Sequence, residues 1–323
     1  MASGDRPQVF VPGQLRRSPL RFDAGRYAAV KDPCPVPVGD RWHLFGTAVH
    51  DGYRYEILHA TAARPEGPWR LCPPARLPDV PGSCVAAPGV VAEGQLLHMF
   101  VQTEYNLLGG VVEHLVSDDH GDTFRRVGTA LTSLPDTPEA GVYDPHPAQI
   151  GGQRYLTYSA FAQPGRPDIH LARSLTGSWE GPWQRLGRIL GHADVPGHNQ
   201  HDDPAYEWGL EGAQLVELPD GRVLLNAVCF RAGAAPGDRQ RVFFALADTP
   251  TGPYQVVGPV LDPAGPGEIG HAAAVVHDGA LSLFFQERVG GGPWGYGLAA
   301  APLPPAQPTG QTRTDTPADR TMP

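Results

Sequence analysis

The sequence predicts an all-β protein in which a single domain forms a five-bladed β-propeller. The prediction depends on a hairpin pattern that repeats along the chain, on turn residues at regular spacing, and on weak helical periodicity. Glycine and proline account for 40 and 36 of the 323 residues, and they fall between runs of aromatic and β-branched residues. Such spacing indicates turns between strands.

The repeating unit is a short strand, a tight turn that contains glycine, and a second strand, a combination that predicts a β-hairpin. It is clearest in KDPCPVPVGDRWHLFGTA, which begins at Lys31, and YDPHPAQIGGQRYLTYSA, which begins at Tyr143. With the turns aligned, three further units have their turns at Glu93-Gly94, Asp220-Gly221 and Asp278-Gly279. Five such units, each with about four short strands, are typical of a propeller.

A second signature follows each hairpin. HATAARPEGPW, HLARSLTGSWEGPW and FALADTPTGPY occupy 59–69, 170–183 and 244–254, and their aromatic residues are expected to pack between neighbouring blades. In the second unit HLVSDDHGDTF, at 114–124, fits the Asp-box pattern S-x-D-x-G-x-T-F/W that occurs in hairpin turns of several propeller families. An Asp-box is a structural turn and is usually remote from an active site. These segments therefore predict packing.

The chain divides into three parts on these patterns. Residues 1–24 are an N-terminal segment in which 8–22 is expected to add the outer strand of the last sheet and close the ring. A ring closed in this way leaves few exposed sheet edges. Residues 25–302 form the propeller, and 303–323 are polar, rich in proline and threonine, and expected to be disordered.

Charge and composition exclude several classes of function. A net charge of −9 argues against nucleic acid and against an anionic membrane as partners. The four cysteines show no C-x-x-C spacing, which argues against a zinc site or a disulfide framework. A secretory signal pattern and a long apolar run are both lacking, so a cytoplasmic protein is expected. Among the 25 lysines and arginines only Lys31 is a lysine, a bias that we interpret as codon usage in a GC-rich genome.

The innermost strand of each propeller blade lines the central channel, so residues at the start of these strands converge. With the turns as reference, the equivalent positions are predicted to be Asp32, Ala86, Asp144, Glu211 and His271. Taken singly, an aspartate before proline commonly starts a turn, and a histidine is most often a core residue. Together, carboxylates around one cavity repel one another, so that some pKa values rise while others stay low. One site can then hold both a general acid and a general base.

Three segments resemble the signature segments of five-bladed glycoside hydrolases: KDPCPVPVGDRWHLFGTA, YDPHPAQIGGQRYLTYSA and EGAQLVELPDGRVLLNA. Over roughly residues 25–300 the chain most resembles family 43, which contains arabinanases, arabinofuranosidases and xylosidases; families 32, 68 and 130 share the fold. One departure is EGA in the fourth unit, where family 43 usually has EGP.

The resemblance implies a role for each central residue. Asp32 would be the general base, or the nucleophile of a retaining enzyme; Asp144 would orient the acid and tune its pKa; and Glu211 would donate the proton. His271 would face a channel ion, often calcium with mostly water ligands, although no cofactor is required. Glycoside hydrolysis needs a proton on the leaving oxygen and support for an oxocarbenium-like centre. The Lys31-Asp32 opening and the glycine after Glu211 resemble family 43 more than the fructan-active group and favour inversion.

Six further residues are predicted to contact substrate, either because they follow a second strand or because they precede the fourth unit: His50, Glu104, His201, Trp208, Arg231 and Arg288. The loop HADVPGHNQHDDPAYEWGLEG is expected to lie at the rim of the pocket. The alternative for this loop is a metal site made of His198 and His201 with Asp202 or Asp203.

The predicted function is inverting hydrolysis of a small glycoside or oligosaccharide that contains pentose or hexose. A small substrate is favoured because the chain shows no appended carbohydrate-binding domain. The alternative keeps the propeller without the hydrolysis, either as a sugar-binding protein or as a pathway enzyme that acts on a non-carbohydrate metabolite. Three clustered carboxylates favour catalysis over binding.

Overall fold

The computed structural model describes residues 14–52, 54–81, 84–104, 109–162, 166–195, 209–231, 234–235, 237–259 and 261–303. In these ranges the chain forms five four-stranded antiparallel sheets, each of which is one blade. Helix is confined there to short 3-10 turns, such as His192–Asp194, and no described helix is long and apolar enough to cross a membrane. The predicted all-β, five-bladed propeller is confirmed.

The strands follow one another blade by blade. Blade one contains β2 (Ala29–Val38), β3 (Arg41–Val49), β4 (Tyr55–Ala62) and β5 (Arg70–Leu71). Blade two contains β6 (Ala86–Glu93), β7 (Leu96–Thr103), β8 (Val111–Ser117) and β9 (Arg125–Thr132). Blade three contains β10 (Gly141–Ile150), β11 (Gln153–Phe161), β12 (Asp168–Ser174) and β13 (Trp183–Leu190). Blade four contains β14 (Glu211–Glu217), β15 (Val223–Phe230), β16 (Gln240–Ala247) and β17 (Gln255–Pro259).

Blade five joins the two ends of the described chain. It contains β18 (Gly267–His277), β19 (Ala280–Val289) and β20 (Gly295–Pro302), and the N-terminal strand β1 (Arg16–Ser18) is its outer strand. The pairing of β1 with β20 is antiparallel and sets Arg17 opposite Ala299. Most of the predicted disordered tail, from residue 304 onward, lies outside the described residues.

The hydrophobic core lies in the seams between neighbouring blades. One cluster contains residues of blades one and two, such as Phe45 and Phe124, whose ring centroids are 5.7 Å apart with nearly perpendicular planes. Each buried side chain of this size contributes about 1.5–3 kcal/mol to folding. The turn aromatics pack across seams as predicted, since Trp69 contacts Phe284 of blade five with centroids 5.9 Å apart.

The Asp-box forms the structural turn that its pattern predicts. Ser117 Oγ accepts a hydrogen bond from the amide of Gly121 at 2.9 Å and donates to Asp119 Oδ1 at 2.8 Å. The same carboxylate oxygen accepts from the amide of Thr123 at 2.8 Å, and Phe124 is fully buried. The three residues between these anchors, 118, 120 and 122, are exposed.

Candidate active site

A β-bulge interrupts the innermost strand of each blade near its start. The pairing of β2 with β3 shifts directly after Lys31, and that of β10 with β11 shifts directly after Tyr143. Asp32 and Asp144 are the first residues of these bulges, with φ of 53° and 50°. Few residues other than glycine adopt this left-handed conformation, and aspartate tolerates it better than most. Bulges often re-aim side chains next to active sites, and here they turn both carboxylates toward the channel.

The register of blade two corrects one predicted equivalence. Ala87, and not Ala86, occupies the first bulge position, with φ of 49°. The predicted position was one residue too early because the alignment took Glu93-Gly94 as the turn. In the structure β6 ends at Glu93, so the turn is Gly94-Gln95. The same φ at an alanine indicates that this backbone conformation is a property of the bulge and not of catalysis.

Blades four and five deviate in opposite directions from the predicted equivalence. In blade four, Gly212 is the first bulge residue, with φ of 58°, so Glu211 precedes the bulge. In blade five the bulge contains Gly270 and His271, and His271 is its second residue. These offsets arise because the number of residues from the bulge to the end of the innermost strand differs between blades. It is one residue smaller in blade four and one residue larger in blade five than in blade one.

Each aspartate bulge is fixed by a side chain of the preceding blade. The amide of Asp32 donates to Gln286 Oε1 of blade five at 2.9 Å. The amide of Asp144 donates to Gln102 Oε1 of blade two at 2.8 Å. Because the anchors come from neighbouring blades, the closed ring itself holds the carboxylates in position.

The four central residues of the sequence prediction meet around the imidazole of His271. Its Nδ1 is 2.8 Å from Asp32 Oδ1, and its Nε2 is 3.6 Å from Glu211 Oε2 and 3.8 Å from Asp144 Oδ2. Their side chains are between 7% and 17% exposed, and Glu211 is the most exposed. The ring therefore lies between Asp32 on one side and two carboxylates on the other.

The charges in this cluster shift the pKa values of its members in different directions. Burial acts to lower the pKa of His271, but the charges of Asp144 and Asp32 and the hydrogen bond to Asp32 outweigh it and raise that pKa well above its ordinary value. Burial acts to raise the pKa of Asp32, yet His271 and then Lys31 hold it well below its usual range. Asp32 and His271 therefore form a charged pair at neutral pH.

Asp144 behaves in the opposite way. Burial raises its pKa to about 7, and the negative charges of Glu211 and Asp32 contribute to the rise against the charge of His271. Asp144 and Glu211 are close neighbours, since one oxygen of each and a nitrogen of His271 all lie within 4.8 Å of one another. Asp144 can hold a proton near neutral pH, while Asp32 stays ionised.

Lys31 also belongs to this site, although its occurrence as the single lysine was interpreted from the sequence as codon usage. Burial acts to lower its pKa, but Asp32, Asp144 and Glu211 outweigh that effect and raise it. Its carbonyl accepts a hydrogen bond from Tyr296 Oη at 2.7 Å, which fixes the start of β2. The signal that could have identified it is position, because the single lysine of the chain directly precedes Asp32.

The same residues bear on the predicted channel ion. Within the described ranges, Asp144, Glu211 and His271 are the group whose donor atoms could share one metal ion. The adjoining channel cavity, lined in part by Asp32 and Pro145, has a volume of about 30 Å³, room for about one water or ion. Calcium takes six to eight oxygen ligands, so two carboxylates and water would suit it. The ion stays a prediction.

Four of the six predicted substrate contacts lie in the described ranges. His50 Nε2 is 3.1 Å from Glu56 Oε2. Glu104 is exposed at the end of β7, with φ of 57°. Arg231 donates to Asp238 Oδ2 at 3.1 Å.

The side chain of Arg288 is already engaged by two neighbouring residues. Its Nε donates to Glu268 Oε2 at 2.8 Å, and its guanidinium lies 4.8 Å from the ring centroid of Trp294. Glu268 is 2% exposed, so Arg288 neutralises a buried carboxylate. His201 and Trp208 lie outside the described residues, as do His198, Asp202 and Asp203 of the alternative metal site.

No protein-family model matches the sequence, and no curated protein matches it either. Solved structures with the same fold are found. The catalytic domain of a family 62 α-L-arabinofuranosidase from Coprinopsis cinerea superposes with a TM-score of 0.65 at 15% identity, over 90% of this chain and 98% of that one. An exo-1,5-α-L-arabinanase from a bovine ruminal metagenomic library gives 0.60 at 13% identity, over 87% and 95%. The α-L-arabinanase of Cellvibrio cellulosa gives 0.62 at 15%, over 84% and 91%. The fold is thus that of propeller glycosidases.

Proposed function

We propose that this protein is a glycoside hydrolase that cleaves a small pentose- or hexose-containing glycoside by acid/base catalysis in the central channel. The observation that carries the proposal is the meeting of Asp32, Asp144 and Glu211 around His271. A binding site gains little from three crowded carboxylates, because their mutual repulsion must be offset. A hydrolase needs them, since it must donate and accept protons in one turnover.

Asp32 is the base of the proposed mechanism. Its low pKa keeps it ionised, and its hydrogen bond to His271 at 2.8 Å fixes its orientation. His271 engages one oxygen of its carboxylate and Thr47 also hydrogen-bonds to the carboxylate; a remaining lone pair would orient and deprotonate the attacking water. A low pKa makes it a weak base in the ground state, and the positive charge that develops on the sugar ring adds electrostatic support.

The acid is the Asp144–Glu211 pair. Asp144 retains a proton near neutral pH, because its pKa is about 7, and its buried position suits storage of that proton. Glu211 is the more exposed of the two and is better placed to reach a leaving oxygen. Asp144 therefore tunes the protonation of Glu211, and Glu211 delivers the proton to the substrate.

Inversion is the proposed stereochemical course. An inverting enzyme keeps its two carboxyl groups about 6.5–9.5 Å apart to admit water, whereas a retaining enzyme keeps them about 5–5.5 Å apart. The imidazole of His271 between Asp32 and Glu211 supports the wider arrangement. Arabinose-containing substrates are the first choice, because the Cellvibrio arabinanase has been solved with arabinohexaose.

A channel ion is a further part of the proposal. His271 would face it, with water as most of its ligands, and Asp144 would release its proton if it joined Glu211 in binding the ion. Extensive dialysis against EDTA followed by calcium tests this point. Activity that falls on chelation and returns with calcium would support the ion, and unchanged activity would remove it from the site.

The function is tested with purified protein, 4-nitrophenyl α-L-arabinofuranoside, 4-nitrophenyl β-D-xyloside, and short arabino- and xylo-oligosaccharides. Hydrolysis of at least one of these substrates is expected, and proton NMR of the first anomer should show inverted configuration. A product that keeps the substrate configuration would exclude inversion. Tight binding of an oligosaccharide without turnover would instead establish the sugar-binding alternative.

A further inference from the structure

Two seams of the propeller contain the same cluster of two imidazoles and a phenyl ring, and they differ in what covers it. In blade one, His43 Nδ1 and His59 Nε2 are 3.0 Å apart. Phe45 stacks on His59 with ring centroids 4.7 Å apart and planes 8° apart. The cluster faces blade two, and we call this interface the first seam.

Blade two repeats the cluster toward blade three, at the second seam. His98 Nδ1 and His114 Nε2 are also 3.0 Å apart, and Phe100 stacks on His114 at 4.6 Å. The turn of blade three places Trp179 against this cluster, with its ring centroid 6.1 Å from that of His98. Trp179 is 1% exposed and Arg154 lies over its outer face at 5.4 Å. The second seam is therefore filled by an indole ring.

The first seam is covered by the Asp-box turn, which carries no indole. His120 and Asp122 project from this turn and border a cavity of about 380 Å³, which we call the seam cavity. This volume falls within the range of small-molecule sites. The residues that matter for its chemistry are Asp40, Arg41, His59, Arg70, His120 and Asp122.

A buried imidazole nitrogen lies beside the seam cavity without a hydrogen-bond partner. His59 is 2% exposed, and its Nδ1 finds no such partner in the described part of the chain. The nearest acceptor is Asp122 Oδ1 at 3.8 Å, which is too far for a hydrogen bond. Burial, followed by the charges of His43 and Arg70, lowers the pKa of His59 to about 3, so the ring is neutral. The nearby carboxylate favours the tautomer with the proton on Nδ1, on the side of Asp122.

Two guanidinium groups also reach the cavity unpaired. Arg41 and Arg70 are exposed at its mouth, and within the described ranges neither forms a side-chain hydrogen bond or ion pair. Guanidinium groups bind oxyanions strongly because their fork matches two oxygens at once. Asp40 and Asp122 line the same cavity and would repel a bare anion, but their oxygens can accept hydrogen bonds from hydroxyl groups.

We propose that the seam cavity is a second ligand site that binds a small anionic polyol, such as a phosphorylated or carboxylated sugar. Arg41 and Arg70 bind its oxyanion, beside the His59 ring that lines the cavity. Asp40 and Asp122 accept from its hydroxyl groups. The cavity includes Val38 at the end of β2, while Asp32 lies near the start of the same strand. At about 3.3 Å for each residue the two sites are roughly 20 Å apart, so this site is separate from the channel.

The test is calorimetric titration of the full chain with three probes: glucose 6-phosphate, glucuronate and glucose. At least one anionic probe should bind at least tenfold more tightly than glucose, and the stronger of the two identifies the oxyanion. The double variant Arg41→Ala/Arg70→Ala should lose at least tenfold in affinity. The matched control Arg173→Ala removes a half-buried arginine of blade three, which donates to Gln184 Oε1 at 2.9 Å away from the seam cavity, and should bind as the wild type does.

A second measurement does not depend on the variants. In a protein with 15N-labelled histidine, the imidazole resonances of His59 should shift on saturation with the tighter anionic probe, and those of His114 should not. The proposal is overturned if no probe binds at millimolar concentration, if glucose binds as well as the anions, or if the double variant retains full affinity. An unchanged His59 spectrum at saturation would also overturn it.

Discussion

Buried histidines occur in two settings in this propeller, and the settings give them opposite charge. His271 in the channel is surrounded by carboxylates that raise its pKa well above the ordinary value. His59 and His114 in the seams are stacked against phenyl rings, and burial lowers the pKa of each to about 3. His59 and His114 are each 2% exposed and His271 is 14% exposed, so all three rings are largely shielded from water and burial alone does not decide their charge.

The difference shows what each region contributes. In the channel, the bulges place carboxylates where a charged imidazole compensates them, so the cluster can hold and move protons. In the seams, a neutral imidazole serves as a flat polar ring that completes the packing between blades. The seam between blades two and three is also sealed by Trp179, while the seam between blades one and two keeps a cavity. The propeller thus uses one residue type for charge and for packing.

The largest expected effect concerns the channel. Asp32→Asn should lower kcat by on the order of 10²–10⁴-fold, because acid–base catalysis commonly contributes that much. The substitution preserves shape and removes the charge that faces His271. The control is Asp278→Asn, which changes an exposed turn aspartate with a similar positive φ of 48° and should leave kcat unchanged. Normal turnover by Asp32→Asn would show that the channel cluster is not the catalytic site.

The next effect concerns the filled seam. Trp179→Ala should reduce the free energy of unfolding by about 3–5 kcal/mol, the usual cost of truncating a large buried aromatic residue. Gln95→Ala, an exposed residue beside the seam cavity, should change it by no more than about 0.5 kcal/mol. Urea unfolding at pH 7 measures both. A loss below about 1 kcal/mol for Trp179→Ala would mean that the indole does not seal the second seam.

A third effect separates the two members of the acid pair. Glu211→Gln should cost roughly 10²-fold or more in kcat on an unactivated oligosaccharide and far less on a 4-nitrophenyl glycoside, whose leaving group needs little protonation. Asp144→Asn should lower kcat on both substrates by similar factors, because it tunes the acid without delivering the proton. The reverse pattern, with the leaving-group dependence in Asp144→Asn, would make Asp144 the proton donor.

The sequence alone predicted the fold well, because each blade repeats a hairpin whose turn and strands are local features. It also brought Asp32, Asp144, Glu211 and His271 to one channel, since residues near the starts of innermost strands must converge in a propeller. It placed Ala86 at the bulge position that Ala87 occupies, because the turn of blade two lies one residue later than the sequence suggested. No local sequence signal marks such a one-residue shift. Short-range pattern is sufficient for topology and insufficient for register.

Other features needed the folded structure. Lys31 was interpreted as codon usage because the carboxylates that raise its pKa, Asp32, Asp144 and Glu211, come together only in the folded ring. The pairing of His43 with His59 joins two strands, and the cavity beside them depends on the turn of the next blade. The orientation of Arg288 is likewise decided by the buried Glu268, which no spacing rule indicates. Contacts of this kind are set by packing between blades.

The smallest expected effect is the pH dependence that seam histidines impose on stability. The folded-state pKa of His114 is about 3, below the ordinary value of 6.5. On acidification the unfolded chain therefore takes up this proton first, so the stabilising contribution is complete above about pH 6.5 and is lost progressively toward pH 3. Asp144 acts in the opposite direction, because its raised pKa of about 7 stabilises the fold at low pH and that contribution is lost as pH rises through 7.

The expected change is measurable with one conservative variant. His114→Gln keeps a polar side chain against His98 and removes the titration, so between pH 7 and pH 5 it should lose about 2 kcal/mol less stability than the wild type. Urea unfolding at both pH values measures this difference. His277→Gln removes a histidine that is 40% exposed on blade five and should follow the wild type. If His114→Gln follows the wild type as well, then His114 is not held neutral in the seam, and the contrast with His271 fails at that residue.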